Sequence, residues 1–139
     1  MTPEEMSAIH RAAGAPEPGW SASDFAGLLA SPHARLVTTG QCFALGRVVS
    51  DEAELMMLAT DPEGQRQGRA RHALADLERV LAAGGASVMF LEVAADAARA
   101  PTLYLAAGFE KVGQRRADDA RRVGPAADAL LMRKQLRPA

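Results

Sequence analysis

Residues 53–93 constrain this chain more than any other stretch. The apolar run "AELMMLAT" (53–60) hands over to a glycine- and arginine-rich turn, "EGQRQGRARHAL" (63–74). Over 68–83 the side chains of Ala70, Ala73, Leu74, Leu77, Val80 and Leu81 fall on one stripe at helical spacing, and Gly84-Gly85 supplies the stop. The next segment, "SVMFLEV" (87–93), is nearly all apolar and rich in β-formers. Strand, helix and strand in that order form a β-α-β unit, whose crossover makes the two strands parallel. An all-apolar second strand predicts burial on both faces.

The rest of the chain must fit around that unit. Residues 3–13 and 21–30 read as two short helices separated by the breaker "GAPEPGW", with Ser21 or Ser23 available to cap the second. Strands over 35–39, 42–50 and 53–60 are joined by Gly40-Gln41 and Asp51-Glu52, connections so short that only antiparallel neighbours fit. A short helix over 99–107, ended by Gly108, and strands over 109–116 and 127–135 complete the pattern. The expected fold class is α/β: one domain over 1–139, with antiparallel N-terminal strands, a central parallel β-α-β unit and flanking helices.

Composition excludes several functions. A length of 139 residues with 48% hydrophobic and 24% charged residues suits one globular domain. No apolar run approaches the roughly 20 residues that span a bilayer, and the N-terminus lacks the layout of a signal peptide, so no membrane is expected and the cytoplasm is. Cys42 is the single cysteine, and His10, His33 and His72 have no ligand spacing with it or each other, so no metal is expected. A net charge of −1 argues against nucleic acid, although arginines gather in 66–71 and 115–122. Such local clusters suit small anions or peptides.

The 63–74 turn has a chemistry of its own. The first turn of a helix beginning at 68 leaves backbone N–H groups unpaired and carries partial positive charge, which together attract anions. Gly64 and Gly68 permit conformations and close approaches that a β-carbon obstructs. Arg66, Arg69 and Arg71 add charge around the spot, as a diphosphate favours. The pattern lacks the Gly-Lys-Ser/Thr ending of a P-loop and the three glycines of the dinucleotide fingerprint. From these residues alone, a packing turn and a phosphate cradle both remain open.

Taken in order, Gln65-x-x-Gly68-x-Ala70, then "LEV" (91–93), then "LYLAAGFEKVGQRR" (103–116) resemble the GNAT superfamily of acyl-CoA-dependent N-acetyltransferases. Within it, the RimI-type ribosomal-protein-alanine N-acetyltransferases are most similar. The likeness runs from about 52 to 116, and more loosely over 18–31 and 128–136. It implies that Gln65, Arg66, Gln67, Gly68, Arg69 and Ala70 hold the pyrophosphate of acetyl-CoA. It also implies that the backbone of Leu58, Ala59 and Thr60 faces the pantetheine arm and acetyl group, supplying the oxyanion donor.

Acyl transfer to an amine needs a neutral amine, stabilisation of an oxyanion and a proton for the departing thiolate. By the resemblance, Glu92 takes the amine's proton, directly or through water; in an apolar strand, desolvation would make its carboxylate a better proton acceptor. A solvated strand-end carboxylate is the other reading. Tyr104, the single tyrosine, takes the acid role by the same resemblance, beside the reading of simple packing with Leu103 and Phe109. A phenol near pKa 10 donates to a thiolate near 8.5 only where the site offsets the mismatch. Trp20 is either a wall of the acceptor pocket or a packing anchor.

The chain departs from the family pattern in two places. Ala97 stands where RimI-like sequences have an asparagine reaching the coenzyme, with Asp96 beside it, and Asp118 and Asp119 replace paired tyrosines after "RR". The acidic pair reads as a solvated turn or as ligands for a cationic acceptor. An α-amine, with pKa about 7.7 to 8.0, is roughly a tenth neutral at pH 7, whereas lysine is neutral to well under one part in a thousand. The expected acceptor is therefore a protein N-terminus, with a small-molecule amine, or a non-catalytic acyl-CoA-binding module, as the alternatives. Nothing in the sequence speaks to oligomeric state.

Overall fold

The computed structural model describes residues 1–14, 19–65, 67–94, 100–115 and 129–136. Its elements are α1 (Pro3–Ala12), α2 (Ala22–Leu29), β1 (Ala34–Thr39), β2 (Cys42–Val49), β3 (Glu52–Thr60), a 3-10 turn (Pro62–Gly64), α3 (Arg69–Ala83), β4 (Val88–Ala94), α4 (Ala100–Ala106), β5 (Glu110–Arg115) and β6 (Ala129–Gln135). The sequence places every α-helix and strand to within two residues, and the 3-10 turn is an addition to that reading. Both N-terminal helices start on full capping boxes, Thr2 with Glu5 and Ser21 with Asp24. Ser21, not Ser23, is the cap of α2.

The six strands form one sheet in the order β1-β2-β3-β4-β6-β5. All neighbours are antiparallel except β3 and β4, the parallel pair expected from the crossover through α3. β6 inserts between β4 and β5, so the last strand in sequence is not the last in the sheet.

Two apolar layers cover the two faces. On one, α3 and α4 pack over Cys42, Ala44, Val48, Ala53, Leu55, Met89, Leu91 and Met132, with Leu74, Leu77 and Leu81 of α3 fully buried. Burying a leucine contributes about 2 kcal/mol, so these three anchor α3 firmly. On the other face, Met6 and Ile9 of α1 and Phe25 of α2 meet Phe43, Leu45 and Ala59.

The second layer stops short of β4, which corrects one expectation. Met89 and Leu91 are buried, but Val88 and Phe90 are half-buried and Glu92 is exposed. The apolar run of β4 is thus covered fully on the α3 side alone, because α1 and α2 sit over β1 to β3. Among the described residues no helix is long and apolar enough to cross a membrane.

Candidate active site

The parallel pair separates soon after it forms. Glu52, Ala53 and Glu54 pair with Val88, Met89 and Phe90, and no rung follows among the described residues. Just beyond this point β3 carries an extra residue: Leu55 pairs with Gly46 and Met57 with Leu45, which leaves Met56 as a bulge. A bulge bends its strand and exchanges the faces of the residues beyond it. Accordingly Ala53 and Leu55 face the α3 layer, Met57 and Ala59 the α1–α2 layer, and Leu58 the α3 layer again. The result is a gap in the sheet between Leu55–Thr60 and Leu91–Ala94, at the carboxyl ends of the parallel strands.

The turn after β3 brings the start of α3 to that gap. Gly68 is the N-cap of α3 at φ +75°, in the left-handed region, and a β-carbon there would meet nothing within 4 Å. No side chain caps α3, and its first turn holds no acid. Both capping boxes among the described residues lie elsewhere, on α1 and α2, while α3 presents its N-terminal N–H groups uncapped, above open space. A helix start of this kind is suited to an anion, which is one of the two readings that the sequence leaves open.

Side chains of the loop brace it. Asp61 accepts from the Glu63 N–H at 3.0 Å, Gln65 Nε2 donates to the Thr60 carbonyl at 3.1 Å, and Gln67 Nε2 donates to the Glu63 carbonyl at 3.4 Å. The Arg69 guanidinium turns back over the β1–β2 turn: a β-carbon at Gly40 would collide with it, and one at Gly64 would lie 3.2 Å from its Nη1. Here the expectation needs adjusting. Arg69 fills the space that two glycines leave and so holds the loop's shape, Arg71 is exposed, and Arg66 lies outside the described residues. The glycine at position 40, facing an arginine across the loop, is a feature that sequence reading passed over.

Thr60 closes β3 with its hydroxyl donating to Cys42 Sγ at 3.2 Å. Burial pushes the Cys42 thiol up, against the opposing pull of the Thr60 hydrogen bond and the Arg69 charge. Leu58 and Ala59 are half-buried and buried, with their backbone edge toward the gap where β4 no longer pairs.

Glu92 and Tyr104 lie on opposite faces of the sheet. Along β4, Met89, Leu91 and Val93 point to the α3 layer, so Glu92 points to the other face. It is exposed there and forms an ion pair with Arg115 of β5. The desolvation expected from its apolar strand is absent, since solvent and a guanidinium surround the carboxylate. Arg115 reaches Glu92 across the intervening β6, a neighbour visible only once the strand order is known.

Tyr104 belongs to the α3 layer, 7% exposed, with its ring edge-on to Phe109 at 5.9 Å. Burial pushes its phenol up to about 12. Trp20, after α1, stands 5.3 Å from Phe25 and 6.0 Å from His10, and its carbonyl accepts from the Ser7 hydroxyl at 2.8 Å. That is an aromatic anchor for the α1–α2 connection. Ala97, Asp96, Asp118 and Asp119 lie outside the described residues. Among the described residues no cluster of His, Cys, Asp or Glu is arranged to hold a metal. A groove of about 310 Å³ lined by Arg47, Asp51, Glu54 and Phe90 opens near the start of β3, away from the gap.

The acetyltransferase (GNAT) family model matches residues 10–109. The chain belongs to the GNAT acetyltransferase family.

Within that family it is 43% identical over 74 residues to the ribosomal protein bS18-alanine N-acetyltransferase of Escherichia coli K12, covering 53% of this chain and 50% of that protein. The match thus spans about half the length of that relative. The enzyme of the same name from Salmonella typhimurium is 37% identical over 101 residues, 70% of this chain and 68% of that one. The crystal structure of the ribosomal-protein-S18-alanine N-acetyltransferase from Escherichia coli superposes with a TM-score of 0.85 at 31% identity, covering 99% of this chain and 89% of that chain. The α/β fold read from the sequence is the fold of this GNAT domain.

Proposed function

We propose that this chain, as one domain over 1–139, is an acetyl-CoA-dependent N-acetyltransferase acting on the N-terminal α-amine of a protein, alanine foremost. The observation that carries the reading is the gap between β3 and β4, with the uncapped α3 N-terminus at its mouth and a carboxylate on its opposite face. The names of the bS18-alanine N-acetyltransferases support the choice of acceptor. A cytoplasmic location goes with such a substrate.

Acetyl-CoA supplies the acyl thioester. Gln65, Arg66, Gln67, Gly68, Arg69 and Ala70 form the loop for its diphosphate, Arg69 contributing through its backbone because its side chain is engaged at Gly40 and Gly64. The backbone of Leu58, Ala59 and Thr60, released from pairing with β4, faces the pantetheine arm and offers an N–H to the carbonyl oxygen as negative charge develops there. Glu92 takes the proton of the attacking amine through water and so completes the new amide bond. Tyr104 donates its phenolic proton toward the sulfur as the thioester bond breaks. Desolvation pushes the phenol up to about 12, and the same desolvation raises the proton affinity of a sulfur beside it, which offsets the added mismatch between the two.

The two faces divide the work. The coenzyme's leaving group lies on the α3 side with Tyr104, and the amine arrives from the α1–α2 side with Glu92. The test is mass-spectrometric: purified protein and acetyl-CoA are offered peptides with free N-termini, N-blocked peptides with lysines, and polyamines. Acetylated free N-termini, led by alanine, are expected. Labelling of polyamines alone would overturn the acceptor assignment in favour of small-molecule chemistry, and coenzyme binding without any labelling would favour a binding module.

A further inference from the structure

Lys134 and Glu78 form a partly buried ion pair that no step above uses. Lys134 Nζ lies 2.6 Å from Glu78 Oε1, and the side chains are 26% and 14% exposed. The same ammonium donates to the Ala107 carbonyl at 2.6 Å. It also sits 5.9 Å from the centroid of the Phe109 ring, which in turn packs edge-on against Tyr104. One side chain of β6 therefore ties α3, through Glu78, to the chain just past α4.

That end of α4 is built to receive a cation. The Ala107 N–H returns to the Leu103 and Tyr104 carbonyls and the Phe109 N–H to the Tyr104 carbonyl, so the helix closes on the tyrosine's own backbone. Carbonyls at a helix end carry partial negative charge, and an ammonium there is favourable. Gly108, at φ +99°, turns the chain out of the helix, and a β-carbon on it would come within 3.4 Å of Lys134 Cε. Four elements of one arrangement, the glycine, the carbonyl, the lysine and the glutamate, converge on one point.

α4 needs such a tie. A helix of seven residues is marginal by itself. Leu103, Tyr104, Ala107 and Phe109 hold it to the α3 layer, while Leu105 is 57% exposed on its outer side. An apolar face fixes depth well but resists sliding and rotation weakly, whereas a directional bond at the helix end fixes both.

We propose that Lys134, oriented by Glu78, is a positioning residue that sets the place of the Tyr104 hydroxyl. The inference rests on the reading of Tyr104 as proton donor. Burial is the cause of the raised Tyr104 pKa, so the lysine acts through position, its charge being balanced by Glu78.

The test is a double-mutant cycle on kcat, with acetyl-CoA and an alanine-initiated peptide as substrates. Lys134→Met keeps the apolar stem and removes both polar contacts. It is expected to lower kcat about tenfold, since small displacements of a reacting group have effects of that order, with the KM for acetyl-CoA changed less than about twofold. In a Tyr104→Phe background the same substitution should add almost nothing, because the group it positions is gone. A full additional tenfold loss there, or a loss confined to KM, would overturn the proposal, as would unchanged kcat in Lys134→Met when Tyr104→Phe is impaired. Unchanged kcat in Tyr104→Phe itself would remove the proton-donor reading, and the positioning role with it. Should Lys134→Met fail to fold, Glu78→Gln takes its place in the cycle, with a smaller loss and the same non-additivity. Because Tyr104 is the only tyrosine, its absorbance titration gives a readout that needs no acceptor. Loosening α4 should move the midpoint down from about 12, and an unmoved midpoint counts against the proposal.

Discussion

The two faces of the sheet meet at the same gap and are finished in different ways. On the α3 side, the helices cover β4 and reach Met132 of β6, and Tyr104 is buried among leucines and methionines. On the α1–α2 side the cover stops over β3, and Glu92 stands in solvent beside Arg115. A buried phenol keeps its proton, and a carboxylate on the solvent face is open to an arriving amine. In the proposed mechanism the proton donor stands on the closed face and the proton acceptor on the open one.

The largest expected effect tests the mouth of the gap. Gly68→Glu puts a carboxylate into the space that a diphosphate would use and forces a left-handed φ on a side chain. Calorimetry should find acetyl-CoA binding weakened by at least about a hundredfold, given the charge reversal at a helix N-terminus. Unchanged affinity would remove the α3 terminus from the site.

Next comes the closed face. Tyr104→Phe preserves packing against Phe109 and removes the proton, so kcat should fall about a hundredfold while acetyl-CoA affinity stays within about twofold. The same residue gives this face a pH signature. Its pKa rises from 10.0 unfolded to about 12 folded, so its contribution to stability is whole below pH 10 and is lost as pH rises toward 12. The loss should reach about 3 kcal/mol in urea unfolding, and Tyr104→Phe should lack it. A parallel decline in both proteins would mean that the phenol is solvated after all.

The open face should respond less. Glu92→Gln is expected to lower kcat/KM about tenfold, because water can still carry the amine's proton away from a solvated position. A loss of a thousandfold or more would show that the acceptor desolvates this face when it binds. Smallest is the effect of His10, whose pKa burial lowers below 6.5 between Trp20 and Phe25. Its share of stability is present above pH 6.5 and is lost as pH falls through the folded value, so the urea midpoint should drop on acidification in the parent protein and less in His10→Gln.

Much of this molecule was legible one segment at a time. The stripe from Ala73 to Leu81 and the glycines at 84 and 85 specify α3, and the two-residue links after Thr39 and Val49 specify hairpins, because period and turn chemistry are local properties. Gly68 was legible as well, since only glycine takes φ +75° at little cost. Burial of β4 was not: the expectation of two covered faces came from apolarity alone, and coverage depends on where α1 and α2 end. The role of Arg69 was hidden for a related reason. Its charge pointed to phosphate, yet the space at Gly40, 29 positions earlier in the chain, takes up the guanidinium.

By itself the sequence determined the helices and strands, the parallel crossover and a glycine-led start of α3, because each follows from contacts between near neighbours along the chain. Only the tertiary structure decided where β3 and β4 part, that β6 lies between β4 and β5, and that Glu92 and Tyr104 look out from opposite faces. Those outcomes depend on a single bulged residue, Met56, and on the order in which strands pair. Pairing order brings Arg115 to Glu92 and Lys134 to Glu78 across 23 and 56 residues of chain, a distance over which local periodicity carries no information.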